Sequence, residues 1–262
     1  MRSTPFSIPG IKNIIAIASG KGGVGKSTTT VNLALALSAQ HKRVGILDAD
    51  IYGPNQPHML GADEKPALHD NETFKPVIRH GLQTMSMGYL VDSEEPMVWR
   101  GPMVVKALQQ MLYHTAWDNL DYLLIDLPPG TGDVQLTLSQ KTPLNGAIIV
   151  TTPQAVALLD ARKGLAMFRK VSVPILGVIE NMSGYHCAQC GHNAAIFGEG
   201  GAEKLATEYT VPLLGKIPLT LKIREQADAG NPIFIAEPEC DAAKIYAVIA
   251  SQIVSMNGGE RK

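Results

Sequence analysis

The chain has 262 residues and a formal net charge of -1, with 45% hydrophobic and 18% charged residues. This length and apolar content suit one large α/β domain with a full core. The near-neutral net charge argues against general electrostatic binding of nucleic acid. The sequence shows neither a signal-peptide pattern nor an apolar run near the ~20 residues that cross a bilayer. We therefore expect a cytoplasmic protein that binds neither nucleic acid nor membrane. Three cysteines in a reducing compartment argue against a disulfide framework.

A glycine-rich loop lies between the first predicted strand, 14–18, and the first predicted helix, 27–40. The segment Gly20–Ser27 fits the pattern G-x-x-x-x-G-K-[ST]. The glycines let successive N–H groups turn toward phosphate oxygens, and the helix N-terminus adds its positive dipole end. Lys26 is expected to reach the β- and γ-phosphates, and the Ser27 hydroxyl to ligate Mg²⁺. The expected nucleotide-binding residues here are Gly20, Lys21, Gly22, Gly23, Val24, Gly25, Lys26, Ser27 and Thr28.

A second lysine, Lys21, lies between the two glycine pairs of this loop. A general nucleotide-binding loop does not need it. A second cation at the phosphates can neutralise charge that develops on a transferred phosphoryl group. The loop therefore indicates phosphoryl transfer as well as binding.

Carboxylates follow two further predicted strands. The run 44–47 leads into Asp48 and Asp50, and the run 122–125 ends in Asp126. Carboxylates beyond the carboxyl ends of parallel strands lie where α/β sheets bind ligands, although a single Asp there also suits a turn cap. Asp126 has the Walker B arrangement, which delivers a carboxylate to the Mg²⁺ shell. In the loop that follows, the N–H of Gly130 can sense a γ-phosphate, as switch loops do.

Strands and helices alternate through the remaining chain. The sequence predicts an α/β fold: a doubly wound, mainly parallel sheet with helices on both faces, typical of P-loop NTPases. Residues 1–13 are expected to form a short N-terminal leader, and residues 14–262 a single P-loop ATPase domain. Residues 56–80 show no regular hydrophobic period, and this predicts loops and short elements. The other predicted strands are 82–87, 147–150, 175–179 and 211–218, and the other helices 103–114, 155–171, 201–209 and 240–256.

A cysteine pair lies in a predicted loop around 187–190, where Cys187 and Cys190 have C-x-x-C spacing. A structural zinc knuckle needs four ligands, and the chain adds only neighbouring histidines and the remote Cys240. A thioredoxin-like dithiol would open a helix, for which the following residues are poorly suited. The third alternative is half a site, completed by a second identical chain. Four thiolates then suit a 4Fe–4S cluster or tetrahedral Zn²⁺.

The K-G-G-x-G-K-[ST] form of the loop resembles the deviant Walker A of the ATPase group that contains MinD, ParA, nitrogenase iron protein and the ArsA-type ATPases. Over residues 9 to 256 the chain resembles the Mrp/ApbC group of P-loop ATPases, which act as iron–sulfur cluster scaffolds and carriers. The matching segments are 20–27, 48–54, 99–102, 126–133 and 180–183, together with the cysteine pair. Many bacterial members carry an extra small N-terminal domain, for which the predicted leader has no room.

The resemblance implies a nucleotide-sandwich homodimer in which Lys21 reaches the partner's nucleotide. It implies that Lys21, Lys26 and Asp50 are catalytic, with Asp50 handling the attacking water and Asp48 near Mg²⁺. Asn181 would recognise adenine, and the loop at Pro218 would border the base. The expected cofactors are ATP, Mg²⁺ and a labile 4Fe–4S cluster, held by Cys187 and Cys190 at the dimer interface. The expected partners are a second copy of the chain and apo iron–sulfur proteins that accept the cluster.

Three other functions stay open at this point. A positioning ATPase of the MinD or ParA kind would need a basic amphipathic C-terminal helix or a basic DNA-binding patch, and the sequence shows neither. A reductase component of the nitrogenase iron protein kind bridges a cluster with widely separated single cysteines. A zinc-bridged dimer that uses nucleotide as a structural ligand would contain the same cysteine pair.

Overall fold

The computed structural model describes residues 8–70, 72–90, 101–187 and 189–257. The strands are β1 (Ile11–Ala18), β2 (Val44–Asp48), β3 (Val77–Arg79), β4 (Leu82–Ser86), β5 (Leu120–Asp126), β6 (Gly146–Thr151), β7 (Ile175–His186), β8 (Asn193–Ala194) and β9 (Leu213–Leu219). The helices are α1 (Lys26–Ser38), α2 (Gln56–Leu60), α3 (Gly101–Tyr113), α4 (Asp133–Lys141), α5 (Ala155–Lys170), α6 (Gly201–Glu208), α7 (Leu221–Asp228), α8 (Ile233–Ala236) and α9 (Asp241–Asn257). Trp99 and Arg100, part of one matching segment, lie outside the described residues.

The strands form a single sheet. Its order is β3-β4-β2-β5-β1-β6-β7, and β9 pairs with the far side of β7. The pairs from β4 to β9 along this order are parallel, whereas β3 is antiparallel to β4 and the short β8 is antiparallel to the end of β7. In a parallel sheet the loops after the carboxyl ends of the strands meet at one edge. That edge collects the ends of β1, β2 and β5, which precede the P-loop, Asp50 and residues 127–133.

Both faces of the sheet are buried, which explains why its central strands are apolar without alternation. In β1, Ile15 and Ile17 belong to one core, while Ile14 and Ala16 belong to the other, as the two-residue period of a strand requires. Helices α1, α8 and α9 contribute to the first core. Helices α3, α4, α5 and α6 contribute to the second. The prediction of a doubly wound, mainly parallel sheet with helices on both faces is confirmed.

Two strand boundaries differ clearly from the prediction, and helices α4, α7 and α8 are not among the predicted elements. Strand β1 begins at Ile11, and Ile8 is buried in the second core, so Ile8 and residues 11–13 of the predicted leader belong to the folded domain. Strand β7 continues to His186, seven residues beyond its predicted end. The extension begins with the buried polar residues Glu180 and Asn181 and is half-buried from residue 182 to residue 185, so its sequence gives little hydrophobic signal. Within the described parts of the chain, each helix is too short or too polar to span a bilayer.

Candidate functional site

The P-loop, residues 19–25, curls between β1 and α1 and needs glycine at two close approaches. A Cβ on Gly20 would lie 2.1 Å from the carbonyl carbon of Asp160, so the backbone of α5 packs directly on the loop. Gly25 has a φ of +81°, and a Cβ there would lie 2.1 Å from Asn181 Nδ2. Asn181 Nδ2 donates to the Val24 carbonyl at 2.9 Å. The loop is therefore fixed by α5 and by the Asn181 side chain.

Lys26 and Asp126 form a buried ion pair. Lys26 Nζ lies 2.7 Å from Asp126 Oδ1, and the side chains are 6% and 0% exposed. The pairing of β1 with β5 sets this contact, because it places Ile17, near the end of β1, beside Asp126. The P-loop then returns the chain to Lys26 at the start of α1. Thr30 Oγ1 lies 3.0 Å from the same carboxylate oxygen. The lysine charge is thus held at the edge of the sheet where the predicted phosphates bind.

Asp48 lies beside Asp126 because β2 and β5 are parallel neighbours with these residues in register. Burial, and next the negative charge of Asp126, raise the pKa of Asp48 to about 7. Asp48 Oδ2 accepts from Ser86 Oγ at 3.0 Å, and Asp48 Oδ1 accepts from the Asp50 backbone N–H at 3.1 Å. Two buried carboxylates at one edge of the sheet therefore favour a bound cation.

Asp50 is half-buried at the same edge. Burial raises the pKa of Asp50, and the charge of Lys26 opposes that rise. A carboxylate with a raised pKa that keeps solvent contact is suited to accept a proton from water near neutral pH. The predicted role of Asp50 as the water-handling group stays a prediction.

Two glutamines belong to the site, and the sequence analysis missed both. Gln56 Nε2 donates to Asp126 Oδ2 at 2.9 Å and to the Ser27 carbonyl at 3.2 Å. Gln135 Nε2 donates to the Pro129 carbonyl at 2.6 Å and so braces the loop after β5. Neither contact has a local sequence signal, because each glutamine bonds groups set by the fold or by the conformation of a loop.

The loop after β5 is tied to the P-loop through Gly130, whose N–H donates to the Ser19 carbonyl at 2.9 Å. Gly130 has a φ of +97°, in the left-handed region that favours glycine. Its N–H must leave Ser19 before it can bond a phosphate. The contact fixes the position of the predicted switch loop relative to the P-loop.

The donor set at this edge suits Mg²⁺. The Ser27 hydroxyl and the carboxylates of Asp48 and Asp126 are hard oxygen ligands of the kind that Mg²⁺ or its bound waters prefer. Gln56 Oε1 is buried and has no hydrogen-bond partner among the described residues. An acceptor left unpaired among two carboxylates is the residue pattern that a hydrated cation completes.

The pairing of Asn181 with Ile217 brings Asn181, in the middle of β7, close to Pro218, near the end of β9. This is the placement that a shared border for a nucleotide base would need. Lys21 is half-buried in the P-loop, where its carbonyl accepts from Ser19 Oγ at 2.9 Å. The structure thus places the predicted nucleotide-site residues along one edge of the sheet; their individual roles stay predictions.

The cysteine pair lies at the tip of the hairpin formed by β7 and β8. The Cys187 N–H donates to the His192 carbonyl, and the Gly191 N–H donates to the Cys187 carbonyl, both at 2.9 Å. N–H groups of Cys190 and Gln189 directed at the Cys187 sulfur lower the pKa of that thiol. Cys187 is half-buried and Cys190 exposed. The tight turn therefore favours a thiolate at Cys187 on an accessible surface and is not the helix start that a thioredoxin-like dithiol would need.

The hairpin alone does not complete a metal site. Among the described residues, no three His, Cys, Asp or Glu side chains are grouped closely enough to hold a metal ion. His186 Nδ1 is 2.8 Å from Asn193 Oδ1. Cys240 lies apart, before α9, where its sulfur accepts from the Ala243 N–H at 3.4 Å. A site with four ligands at the cysteine pair would need groups from outside the described residues of one chain.

The fold, the P-loop and the Walker B carboxylate define a nucleotide-binding P-loop NTPase. A family model described as ParA, NUBPL iron-transfer P-loop NTPase, matches residues 10–254. The chain belongs to this family, and the resemblance inferred from its motifs is confirmed.

Relatives and solved structures agree with this assignment. An iron–sulfur cluster carrier protein of Escherichia coli K12 is 57% identical over 95% of this chain and 68% of its own length. The iron–sulfur cluster transfer protein NUBPL of Mus musculus is 51% identical over 94% of this chain and 78% of its own. A nucleotide-binding protein of Archaeoglobus fulgidus, solved with ADP, is 38% identical with a TM-score of 0.78 over 91% of this chain and 93% of its own. The cell division ATPase MinD of Pyrococcus furiosus is 26% identical with a TM-score of 0.70 over 93% of this chain and 99% of its own.

Proposed function

We propose that the protein is an ATP-hydrolysing carrier that holds a labile 4Fe–4S cluster between two identical protomers and transfers it to apo iron–sulfur proteins. The observation that carries this proposal is the cysteine hairpin. It presents two thiols, one with a lowered pKa, on an accessible turn that lacks further ligands in the described residues. The names of the relatives, iron–sulfur cluster carrier and transfer proteins, support it.

Ligand counting supports a cluster shared by two chains. A cubane cluster takes four thiolates, and each chain offers Cys187 and Cys190 as one close pair. Two hairpins related by a two-fold axis supply the required four. Release is then a ligand exchange without net redox change, in which acceptor thiolates replace Cys187 and Cys190 one at a time.

Nucleotide chemistry follows from the P-loop and from the carboxylates that follow β2 and β5. When phosphates bind, the Lys26 ammonium exchanges its contact with Asp126 for the β- and γ-phosphates. Mg²⁺, held by the Ser27 hydroxyl with Asp48 and Asp126 near it, would supply charge neutralisation at the phosphates. Asp50 takes a proton from water as the water oxygen attacks the γ-phosphorus, and the bond to the β-phosphate oxygen breaks to release ADP. Lys21 of each chain acts at the partner's nucleotide.

The route between the two sites runs through Asn181. Its side chain contacts the P-loop at Val24, and its backbone belongs to β7, which continues to the cysteine turn. The loop after β5 provides a second route, because binding of a phosphate by the Gly130 N–H would break the hydrogen bond to the Ser19 carbonyl and let the loop move. Nucleotide state can therefore change dimer geometry and, with it, access to the cluster. We expect a cytoplasmic location for this work.

Anaerobic reconstitution with iron and sulfide, followed by metal counting, tests the proposal. The wild type should bind about four irons per dimer. The double variant Cys187→Ala, Cys190→Ala should bind none while its thermal melting stays unchanged. Cys240→Ala is the matched control and should retain the wild-type iron. Four irons in the double variant, or zinc alone in the wild type, would reject the carrier in favour of a zinc-bridged nucleotide-binding dimer.

A further inference from the structure

Gln56 connects three parts of the nucleotide site. Its backbone N–H donates to Asp48 Oδ2 at 3.2 Å. Its side-chain Nε2 donates to the Ser27 carbonyl at 3.2 Å and to Asp126 Oδ2 at 2.9 Å. The residue is 1% exposed. It therefore bonds the P-loop and both buried carboxylates at once.

These contacts fix the orientation of the Gln56 amide. An amide nitrogen has two hydrogens, and both are used by the Ser27 carbonyl and Asp126. The flipped amide would place Oε1 against the same two acceptors, which repel it. The position of Oε1 is thus determined by its neighbours and not by an arbitrary choice between amide orientations.

The other end of the amide is an unpaired acceptor. Within the part of the chain that the structure describes, Gln56 Oε1 is buried without a hydrogen-bond partner, which is unusual for a side chain so well ordered by its donors. Because Oε1 and Nε2 share one carbon, Oε1 lies within about 5.5 Å of Asp126 Oδ2. A group that donates to Oε1 must therefore enter beside the carboxylates, and a carboxylate-lined space favours a donor that carries positive charge.

Water bound to Mg²⁺ is such a donor. Mg²⁺ keeps several of its waters in protein sites, and the metal polarises their hydrogens. We infer that Gln56 is a positioning residue for Mg²⁺-nucleotide: its Oε1 accepts from a water of the Mg²⁺ shell while its Nε2 holds Asp126 and the P-loop in place. The inference rests on the proposed function for the presence of Mg²⁺. The inference adds Gln56 to the proposed metal-binding residues and so connects the metal to the start of α2.

ADP affinity is measured by calorimetry with Mg²⁺ and again with EDTA. The ratio of the two affinities is the Mg²⁺-dependent gain, and this gain tests the inference. Gln56→Met, which keeps the length and removes the polar atoms, should lower the Mg²⁺-dependent gain about 3- to 10-fold, the equivalent of one hydrogen bond. The loss of the Nε2 contacts with Ser27 and Asp126 weakens ADP binding to the same degree in Mg²⁺ and in EDTA, so it cancels from the ratio. Gln83→Met is the matched control, since Gln83 donates to the Asp118 carbonyl outside the site, and its ratio should equal the wild-type value.

A second variant should change the Mg²⁺-dependent gain in the opposite direction, and it keeps the inference testable if Gln56→Met fails to fold. Gln56→Glu keeps an oxygen at the Oε1 position and places a second oxygen against Asp126 and the Ser27 carbonyl, so ADP affinity in EDTA should fall. Because bound Mg²⁺ offsets the added negative charge, the Mg²⁺-dependent gain of this variant should exceed the wild-type value. The inference is overturned if Gln56→Met weakens ADP binding equally in Mg²⁺ and EDTA, or if Gln56→Glu shows no larger gain. A wild-type ratio near one would instead remove Mg²⁺ from the proposed function, and the inference with it.

Discussion

Replacing Asp48 with asparagine should change how the stability of the nucleotide-free protein depends on pH. Burial and the charge of Asp126 raise the pKa of Asp48 from 3.8 to about 7. Between these two values the folded protein keeps a proton that the unfolded chain has released. The free energy of unfolding of the wild type therefore falls as the pH rises through this window.

The size of the effect follows from the shift. One pKa unit is worth about 1.4 kcal/mol, so Asp48 removes about 3 kcal/mol of unfolding free energy between pH 5 and pH 8. Asparagine does not titrate and lacks this decline. The variant also loses hydrogen-bonding capacity, because Asp48 accepts from Ser86, Gln56 and Asp50. That cost, about 1–3 kcal/mol, applies at every pH and cancels from the comparison.

Urea denaturation in EDTA at intervals from pH 5 to pH 8 measures the effect. The stability of Asp48→Asn relative to the wild type should rise by about 3 kcal/mol across this range. Asp118→Asn, at an exposed position, is the matched control and should run parallel to the wild type. If Asp48→Asn is also parallel to the wild type, Asp48 is not the buried, proton-holding carboxyl described above.

Other substitutions test the nucleotide site. Lys26→Ala should lower ATP affinity or turnover about 100-fold or more, because the phosphates lose their main point charge; undiminished turnover would overturn the P-loop assignment. Asp50→Asn should spare ATP binding but slow hydrolysis about 100-fold, since an amide is not a base; lost binding with unchanged turnover of bound ATP would show that another residue handles the water. Lys21→Ala should lose hydrolysis and regain it when mixed with an otherwise inactive chain that keeps Lys21. No recovery in the mixed dimer would indicate action within one chain.

The fold and the P-loop were predictable because their signals are local. The glycines from Gly20 to Gly25 and the lysine after them occupy consecutive positions, and the apolar runs before Asp48 and Asp126 mark buried strands directly. The ends of β1 and β7 were less predictable, since half-buried residues such as Ile11 and Tyr185 give a weak periodic signal. Pairing with neighbouring strands decides where such strands end.

The internal connections of the site were not predictable from sequence. Gln56 bonds Ser27 and Asp126, which are 29 and 70 residues away. The contact between Asn181 and Val24 spans 157 residues. Such bonds depend on the order of strands in the sheet, which a single sequence does not specify. For the same reason, a glutamine near two prolines has no pattern that separates it from an ordinary loop residue.

Native mass spectrometry of the anaerobically reconstituted protein tests the central claim most directly, because it counts chains and clusters in one particle. The carrier account predicts a species with the mass of two chains and one 4Fe–4S cluster, and its return to cluster-free protein when an apo acceptor with four free thiols is added. The Cys187→Ala, Cys190→Ala variant should show no cluster-containing species. A cluster on single chains, or a dimer that contains only zinc, would contradict the account.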